Sequence, residues 1–150
     1  MTMNNIIILP AEEKHLDRIV EIENKSFSCP WSKNDFLYPL YNPEVQSLFS
    51  AVKNNEVVGY ICIFHLFEEG ELLNIAVTPE LRCLGIAQML IDKMCETLKE
   101  KSVSRVTLEV RESNTPAKSL YIKNGFSAFA IRKNYYKNPL ENAIVMEKHI

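Results

Sequence analysis

Apolar and polar positions follow two periods along the chain, and the changes between these periods predict the order of its elements. Apolar or alternating runs predict strands at about residues 6–9, 48–52, 57–67, 72–77, 105–111, 127–134 and 143–148. Apolar residues at helical spacing predict helices over residues 13–27, from Ser32 to about Leu37, from within 82–87 to about Glu100, and over 115–123. The predicted order is β-α-α-β-β-β-α-β-α-β-β, which favours an α/β fold with helices on both faces of a mixed central sheet.

Local signals set several of these boundaries. Ser32 and Asp35 match a capping box, with Asp in place of the usual Glu, so a helix is predicted to begin there. Residues 39–46 contain two prolines and are predicted to form a loop. Pro116 is suited to the first turn of the helix that follows it, and Gly125 to the end of that helix.

Length and composition indicate the class of protein. The 150 residues, 47% hydrophobic and 24% charged, predict one globular domain over residues 1–150. A net charge of −2 argues against direct nucleic-acid binding but allows a basic peptide partner. We see no apolar run long enough for a membrane span and no signal peptide, so a cytoplasmic protein is expected, with a monomer favoured. The four cysteines are expected to be reduced, and the histidines show no metal-ligand spacing.

The run Arg82-Cys-Leu-Gly-Ile-Ala87 lies between a predicted strand and the start of a long helix. Unpaired backbone N–H groups and the positive end of the helix dipole converge at such a junction, and together they bind anions. Gly85 and Ala87 would let a phosphate approach the backbone, and the Arg82 side chain could donate two hydrogen bonds to it. The alternative is an ordinary connection in which Gly85 serves only the turn. The spacing matches neither a Walker loop nor the dinucleotide fingerprint.

Three polar side chains follow this loop and could line one crevice with it. Glu109 lies in the next strand, Asn114 just after that strand, and Tyr121 on the next helix. The carboxyl ends of neighbouring parallel strands meet at one edge of a sheet, where α/β proteins bind ligands. Each residue also has a structural alternative: Glu109 as a solvated strand residue, Asn114 as a helix cap, and Tyr121 as a core aromatic.

Four runs of the sequence carry a family resemblance: Asn74-Ile75-Ala76-Val77, Arg82-x-x-Gly85-x-Ala87, Leu108-Glu-Val-Arg-x-Ser-Asn114 and Leu120-Tyr121-x-x-x-Gly125-Phe126. Together they resemble the GNAT superfamily of acyl-CoA N-acetyltransferases. Residues 28–32 and 132–136 resemble, within it, the bacterial ribosomal-protein-alanine N-acetyltransferases. The resemblance covers nearly the whole chain and implies a sheet of about seven strands flanked by about four helices. Ala87 stands where many members have glycine, and Cys83 and Leu84 replace more polar residues.

The resemblance also implies roles for residues. Acetyl-CoA is expected to place its pyrophosphate on residues 83–88 and its pantetheine arm along the strand edge 75–77, without a metal. The residues implied to contact the coenzyme are Ile75, Ala76, Val77, Arg82, Cys83, Leu84, Gly85, Ile86, Ala87, Gln88 and Asn114. The N–H near Val77 would polarise the thioester carbonyl. Glu109 would act as general base and Tyr121 as general acid toward the leaving thiolate.

The implied acceptor is the N-terminal alanine of the small-subunit ribosomal protein bS18, presented as a flexible basic tail. Trp31, Tyr135 and Tyr136 would line its groove, although Trp31 also suits a hydrophobic staple and the tyrosines suit strand-edge packing. An α-amine, with a reference pKa of about 7.7–8.0, needs only one carboxylate to remove its proton. Two alternatives remain: an acetyltransferase for another peptide, a lysine or a small amine, and a CoA-binding module without catalysis.

Overall fold

A computed structural model describes residues 5–150. The strands are β1 (Ile6–Pro10), β2 (Gln46–Lys53), β3 (Glu56–Leu66), β4 (Glu69–Val77), β5 (Arg105–Arg111), β6 (Ser127–Tyr136) and β7 (Glu141–His149). The helices are α1 (Leu16–Ser26), α2 (Lys33–Tyr41), α3 (Ile86–Glu100) and α4 (Thr115–Lys123). Most of the N-terminal segment on which the expectation of no signal peptide rests lies outside the described residues.

The seven strands form one sheet in the order β1-β2-β3-β4-β5-β7-β6. The β4–β5 pair is parallel, and the other neighbouring strands are antiparallel. One apolar core packs α3 and α4 against the sheet, and a second packs α1 and α2 against its opposite face. The predicted element order, mixed sheet and two-sided helical cover are therefore confirmed. None of the helices in residues 5–150 has both the length and the apolarity to cross a bilayer.

Three predicted boundaries were wrong. Strand β4 begins at Glu69, whereas the sequence pattern placed its start at residue 72. The helix expected to end near Leu37 continues to Tyr41, so residues 39–41 are helical and the loop covers only residues 42–45. Pro39 is compatible with this because its fixed φ is helical; its missing N–H costs one hydrogen bond close to the end of the helix. Strand β6 extends beyond the predicted end at residue 134, which puts Tyr135 and Tyr136 in the strand.

The sheet is divided by a seam between β4 and β5. These strands pair only at their beginnings, from Glu69 opposite Arg105 to Glu71 opposite Thr107. Immediately afterwards, the β3–β4 register shifts around Leu73, which forms a bulge in β4. Bulges bend a strand and end its pairing. Within the described residues, no ladder pair joins 72–77 of β4 to 108–111 of β5, and we call the space between these segments the seam.

Candidate active site

The loop between β4 and α3 presents a run of backbone donors. Cys83 (φ 64°) and Gly85 (φ 90°) are both left-handed, and Gly85 is the residue that precedes the first turn of α3. Among residues 5–150, we find no hydrogen-bond acceptor for the backbone N–H groups of residues 83–88, which we call the donor loop. Unpaired amides at a helix N-terminus form an anion site, and this one lies beside the end of β4.

Side chains in and beside this loop make contacts within the protein that the sequence did not predict. Arg82 donates through Nε to the Val77 carbonyl (3.0 Å) and through Nη2 to the Ser26 hydroxyl (3.0 Å), so the two donors expected to grip a phosphate are directed to protein atoms. The Ile86 side chain is buried in the core. Gln88 exchanges amide hydrogen bonds with Asn124 (2.7 and 2.9 Å), which ties α3 to the end of α4.

The end of β4 presents its free edge to the seam. The Thr78 N–H donates to the Val58 carbonyl of β3 (2.8 Å). Because the hydrogen-bonding edge alternates along a strand, the N–H groups of Ile75 and Val77 face away from β3, toward the seam. The side chain of Ala76 is buried on the α1–α2 side, so Ala76 is in contact with the core instead of the seam.

Tyr121 approaches the site from the α3–α4 side. Its ring packs at 5.9 Å (centroid to centroid) against Phe126, and the residue is 7% exposed. Burial raises the pKa of Tyr121 to about 12, so the phenol stays protonated at neutral pH. We find no hydrogen bond of its hydroxyl within residues 5–150. Asn114 caps α4 by accepting a hydrogen bond from the Ala117 N–H (3.2 Å). This is the structural role that the sequence analysis gave as the alternative to coenzyme binding.

Glu109 lies on the opposite face of β5 from Tyr121. Leu108 and Val110 pack into the α3–α4 core, so the alternation of the strand directs Glu109 to the other face. Its side chain is 17% exposed; Oε1 lies 3.7 Å from Arg132 Nε, and Oε2 is buried without a hydrogen-bond partner in the described residues. Glu109 is therefore not a solvated strand residue, and its second oxygen is positioned to accept a proton or a hydrogen bond.

Four side chains surround Glu109, and the five together form what we call the carboxylate cluster: Glu71, Glu109, Arg132, Tyr135 and Tyr136. Polar contact with Glu109 raises the pKa of Tyr135, and burial followed by the charge of Glu109 raises the pKa of Tyr136. Burial and the charge of Glu109 also raise the pKa of Glu71. The two tyrosine rings pack edge to face, with their centroids 5.0 Å apart. This is the kind of strand-edge packing that the sequence analysis gave as their alternative role.

Arg111 holds one wall of this cluster in place. Its guanidinium lies 4.5 Å from the Tyr136 ring, pairs with Glu141 (3.2 Å) and donates to the carbonyls of Lys137 (2.7 Å) and Pro139 (2.9 Å). It also reaches the hydroxyl of Ser28 (3.3 Å) in the α1–α2 connection. The connection and the β6–β7 loop therefore meet over the end of β5.

Trp31 forms the predicted hydrophobic staple. Its ring lies 5.2 Å from that of Phe36, the residue at the fourth position of α2, and the Ser32–Asp35 capping box is present. Trp31 also lines a surface depression with Tyr38 and Leu73, so its indole is in reach of a ligand on this face. The staple and the substrate role are compatible.

Glu23 is a site residue that the sequence analysis missed. It is 1% exposed and accepts hydrogen bonds from the Trp31 N–H (2.9 Å), the Asn74 amide (2.7 Å) and the Tyr60 hydroxyl. It thus links α1 to the bulged part of β4 and to the entry of α2. No signal in a single sequence could have found it, because two of its partners lie 37 and 51 residues away.

Comparison with known proteins decides the family. A model of the Acetyltransferase (GNAT) family matches residues 16–126, a span that includes the donor loop, the seam, Glu109 and Tyr121. The chain belongs to this family. The GNAT assignment identifies it as an acetyltransferase and is consistent with the fold already described. No group of three or more His, Cys, Asp or Glu side chains in residues 5–150 is arranged to hold a metal ion.

Three GNAT relatives are similar over nearly the whole chain. A [ribosomal protein bS18]-alanine N-acetyltransferase from Haemophilus influenzae is 37% identical over 145 residues, covering 93% of this chain and 96% of the relative. The crystal structure of the ribosomal-protein-S18-alanine N-acetyltransferase from Escherichia coli has a TM-score of 0.88 at 30% identity, covering 97% of this chain and 94% of the other. A GNAT family acetyltransferase from Elizabethkingia anophelis, solved with acetyl-CoA bound, has a TM-score of 0.78 at 25% identity, with coverages of 98% and 99%.

Proposed function

We propose that this enzyme transfers the acetyl group of acetyl-CoA to the N-terminal α-amine of a protein, with the N-terminal alanine of ribosomal protein bS18 as its acceptor. The names of the Haemophilus and Escherichia relatives support this acceptor. The observation that carries the proposal is the convergence on the seam of three features: the unpaired amides of the donor loop, the free edge of β4, and the buried, unpartnered oxygen of Glu109. An acceptor carried by the ribosome places the reaction in the cytoplasm.

The coenzyme is proposed to span the donor loop and the seam. Its pyrophosphate takes the N–H groups of residues 83–88, helped by the dipole of α3. Its pantetheine arm follows the β4 edge and pairs with Ile75 and Val77 as an added strand would. In this arrangement Arg82 acts as a positioning residue, because it holds the Val77 carbonyl and α1 while the backbone binds the phosphates. Acetyl-CoA bound to the Elizabethkingia relative supports the choice of coenzyme.

The reaction is a direct transfer in a ternary complex. The neutral amine attacks the thioester carbon, a C–N bond forms, and the C–S bond breaks. Glu109 takes the proton from the nitrogen, directly or through a water, and the Tyr121 hydroxyl gives a proton to the leaving thiolate. The Val77 N–H stabilises the developing oxyanion, a contribution of about 3 kcal/mol for one well-placed donor. Because Glu109 and Tyr121 lie on opposite faces of β5, the seam is where both can reach the reacting atoms.

The acceptor is proposed to enter across the face that carries the carboxylate cluster. Tyr135 is 48% exposed and offers an apolar ring and a hydroxyl to an extended peptide. Tyr136 and Trp31 border the same face, each held by its packing against Arg111 or Phe36. In this proposal, the three aromatic side chains line the approach of the peptide to Glu109.

The test is mass spectrometry of ribosomal proteins from cells with and without this enzyme. We expect one small-subunit protein, bS18, to lose 42 Da when the enzyme is removed, which is the mass of one acetyl group. Purified enzyme should then acetylate a peptide of that N-terminus and leave the same peptide unmodified when its α-amine is blocked but a lysine is free. Acetylation of the internal lysine, or of polyamines alone, would contradict the proposal.

A further inference from the structure

Glu71 is the member of the carboxylate cluster to which the proposed chemistry assigns no task. It is the last residue of β4 that pairs with β5, and it lies between Phe64 of β3 and Thr107 of β5. Leu72 packs into the α3–α4 core, so Glu71 is directed to the face on which Glu109 lies. Glu109 is two residues beyond Thr107, which makes the two carboxylates diagonal neighbours across the strand pair.

The cluster carries more negative than positive charge. Arg132 pairs with Glu109, and no hydrogen bond or ion pair of Glu71 is found within the part of the chain that the structure describes. The other charged groups on this face of β4 and β5 are already engaged: Arg105 with Glu69 and Glu147, and Arg111 with Glu141. Two carboxylates and one guanidinium therefore leave one uncompensated negative charge, half-buried at the closed end of the seam.

The N-terminal amine of an acceptor carries a positive charge, which is opposite in sign to the uncompensated negative charge of the carboxylate cluster. With a reference pKa of about 7.7–8.0, most of the amine is an ammonium ion at neutral pH, and a carboxylate beside Glu109 would attract this charged form. The acetylated product is a neutral amide. We propose that Glu71 is a second carboxylate of the acceptor site, which binds the incoming ammonium beside Glu109 and so favours the amine substrate over its neutral product.

The inference rests on the proposed function, and it is tested by comparing Glu71→Gln with the unmodified enzyme. Calorimetry with CoA bound, at about pH 7, measures the Kd of an N-terminal alanine peptide and of the same peptide already acetylated. We expect Glu71→Gln to weaken the free-amine peptide about five-fold, as for a partly exposed ion pair, and the acetylated peptide less than two-fold. At about pH 9, where the amine is mostly neutral, the difference should disappear.

Glu68→Gln is the matched control, because it removes the same charge from an exposed side chain just before β4 and should change neither Kd. Equal weakening of both peptides would overturn the inference, since it would mean that Glu71 contacts a part of the peptide that acetylation leaves unchanged. No weakening of either peptide would overturn it as well. If the unmodified enzyme binds neither peptide, the proposed function itself has failed, which is a distinguishable result.

Discussion

Replacement of Gly85 by alanine tests whether the donor loop binds the coenzyme. Gly85 has φ 90°, a conformation that costs an L-residue about 1–2 kcal/mol. Alanine also reduces the freedom of the unfolded chain, which returns about 0.4–1 kcal/mol. We therefore expect Gly85→Ala to lower the free energy of unfolding by about 1 kcal/mol, or roughly 2–4 °C in Tm for a chain of this size.

The effect on coenzyme binding should be larger than this loss of stability. If alanine rotates the backbone toward negative φ, at least one N–H of the donor loop turns away from the phosphates. A hydrogen bond to a charged group contributes about 1.5–3 kcal/mol, so the Kd for acetyl-CoA should rise about 10- to 100-fold. Isothermal titration calorimetry on the purified variant, below its unfolding transition, measures this directly.

Gly125 supplies the control. It has the same φ of 90°, but it follows α4, and a Cβ there would meet only the flexible side chain of Lys148 at 3.6 Å or more. Gly125→Ala should therefore lose a similar amount of stability and keep the Kd for acetyl-CoA. The reasoning is refuted if both variants bind the coenzyme normally, or if both weaken it to the same extent.

Three further predictions concern the catalytic residues and the response to pH. Tyr121→Phe should keep Tm within about 2 °C, because the hydroxyl has no hydrogen bond in residues 5–150, while kcat at saturating coenzyme falls about 10- to 100-fold; full activity would make Tyr121 a packing residue. Glu109→Gln should lower kcat/KM by about 10²- to 10⁴-fold and leave the Kd for acetyl-CoA unchanged, as stopped assays and calorimetry would show. Burial lowers the pKa of His15 and of His65 below 6.5, so the unfolded chain binds protons more readily; urea titrations should find the free energy of unfolding falling as pH drops from about 7.5 to 5.5, with a shallower slope for His65→Gln.

Elements whose ends are marked by nearby proline or glycine residues were predictable from the sequence. Helix α4 has the predicted bounds because Pro116 suits its first turn and Gly125 supplies the left-handed residue after its end. The end of α2 was not predictable, because Pro39 reads as a helix breaker until its buried packing is known. A boundary is predictable when the residues that decide it are adjacent in the chain, and it is not predictable when it depends on packing against other parts of the fold.

The candidate site likewise contains residues that the sequence could identify and residues that it could not. Glu109, Tyr121 and the donor loop could be named from motifs, since their spacing is a property of the chain. The contacts of Arg82 with α1 and of Glu23 with β3 and β4 could not, because these partners are far apart along the chain and become neighbours only when the protein folds. The bulge around Leu73, which opens the seam, leaves no mark in the apolar pattern that a single sequence would reveal.

The seam has a consequence for how the protein holds itself together. Within residues 5–150, the four strands on one side and the three on the other share three ladder pairs. The other links between the halves include the packing of α3, the ion pair of Arg105 with Glu69 and the hydrogen bond from Arg111 to Ser28. Under the proposed mode of binding, the pantetheine arm supplies part of the missing ladder. The coenzyme then connects the two halves of the sheet while acetyl-CoA is bound, and this connection is lost in each catalytic cycle when CoA dissociates.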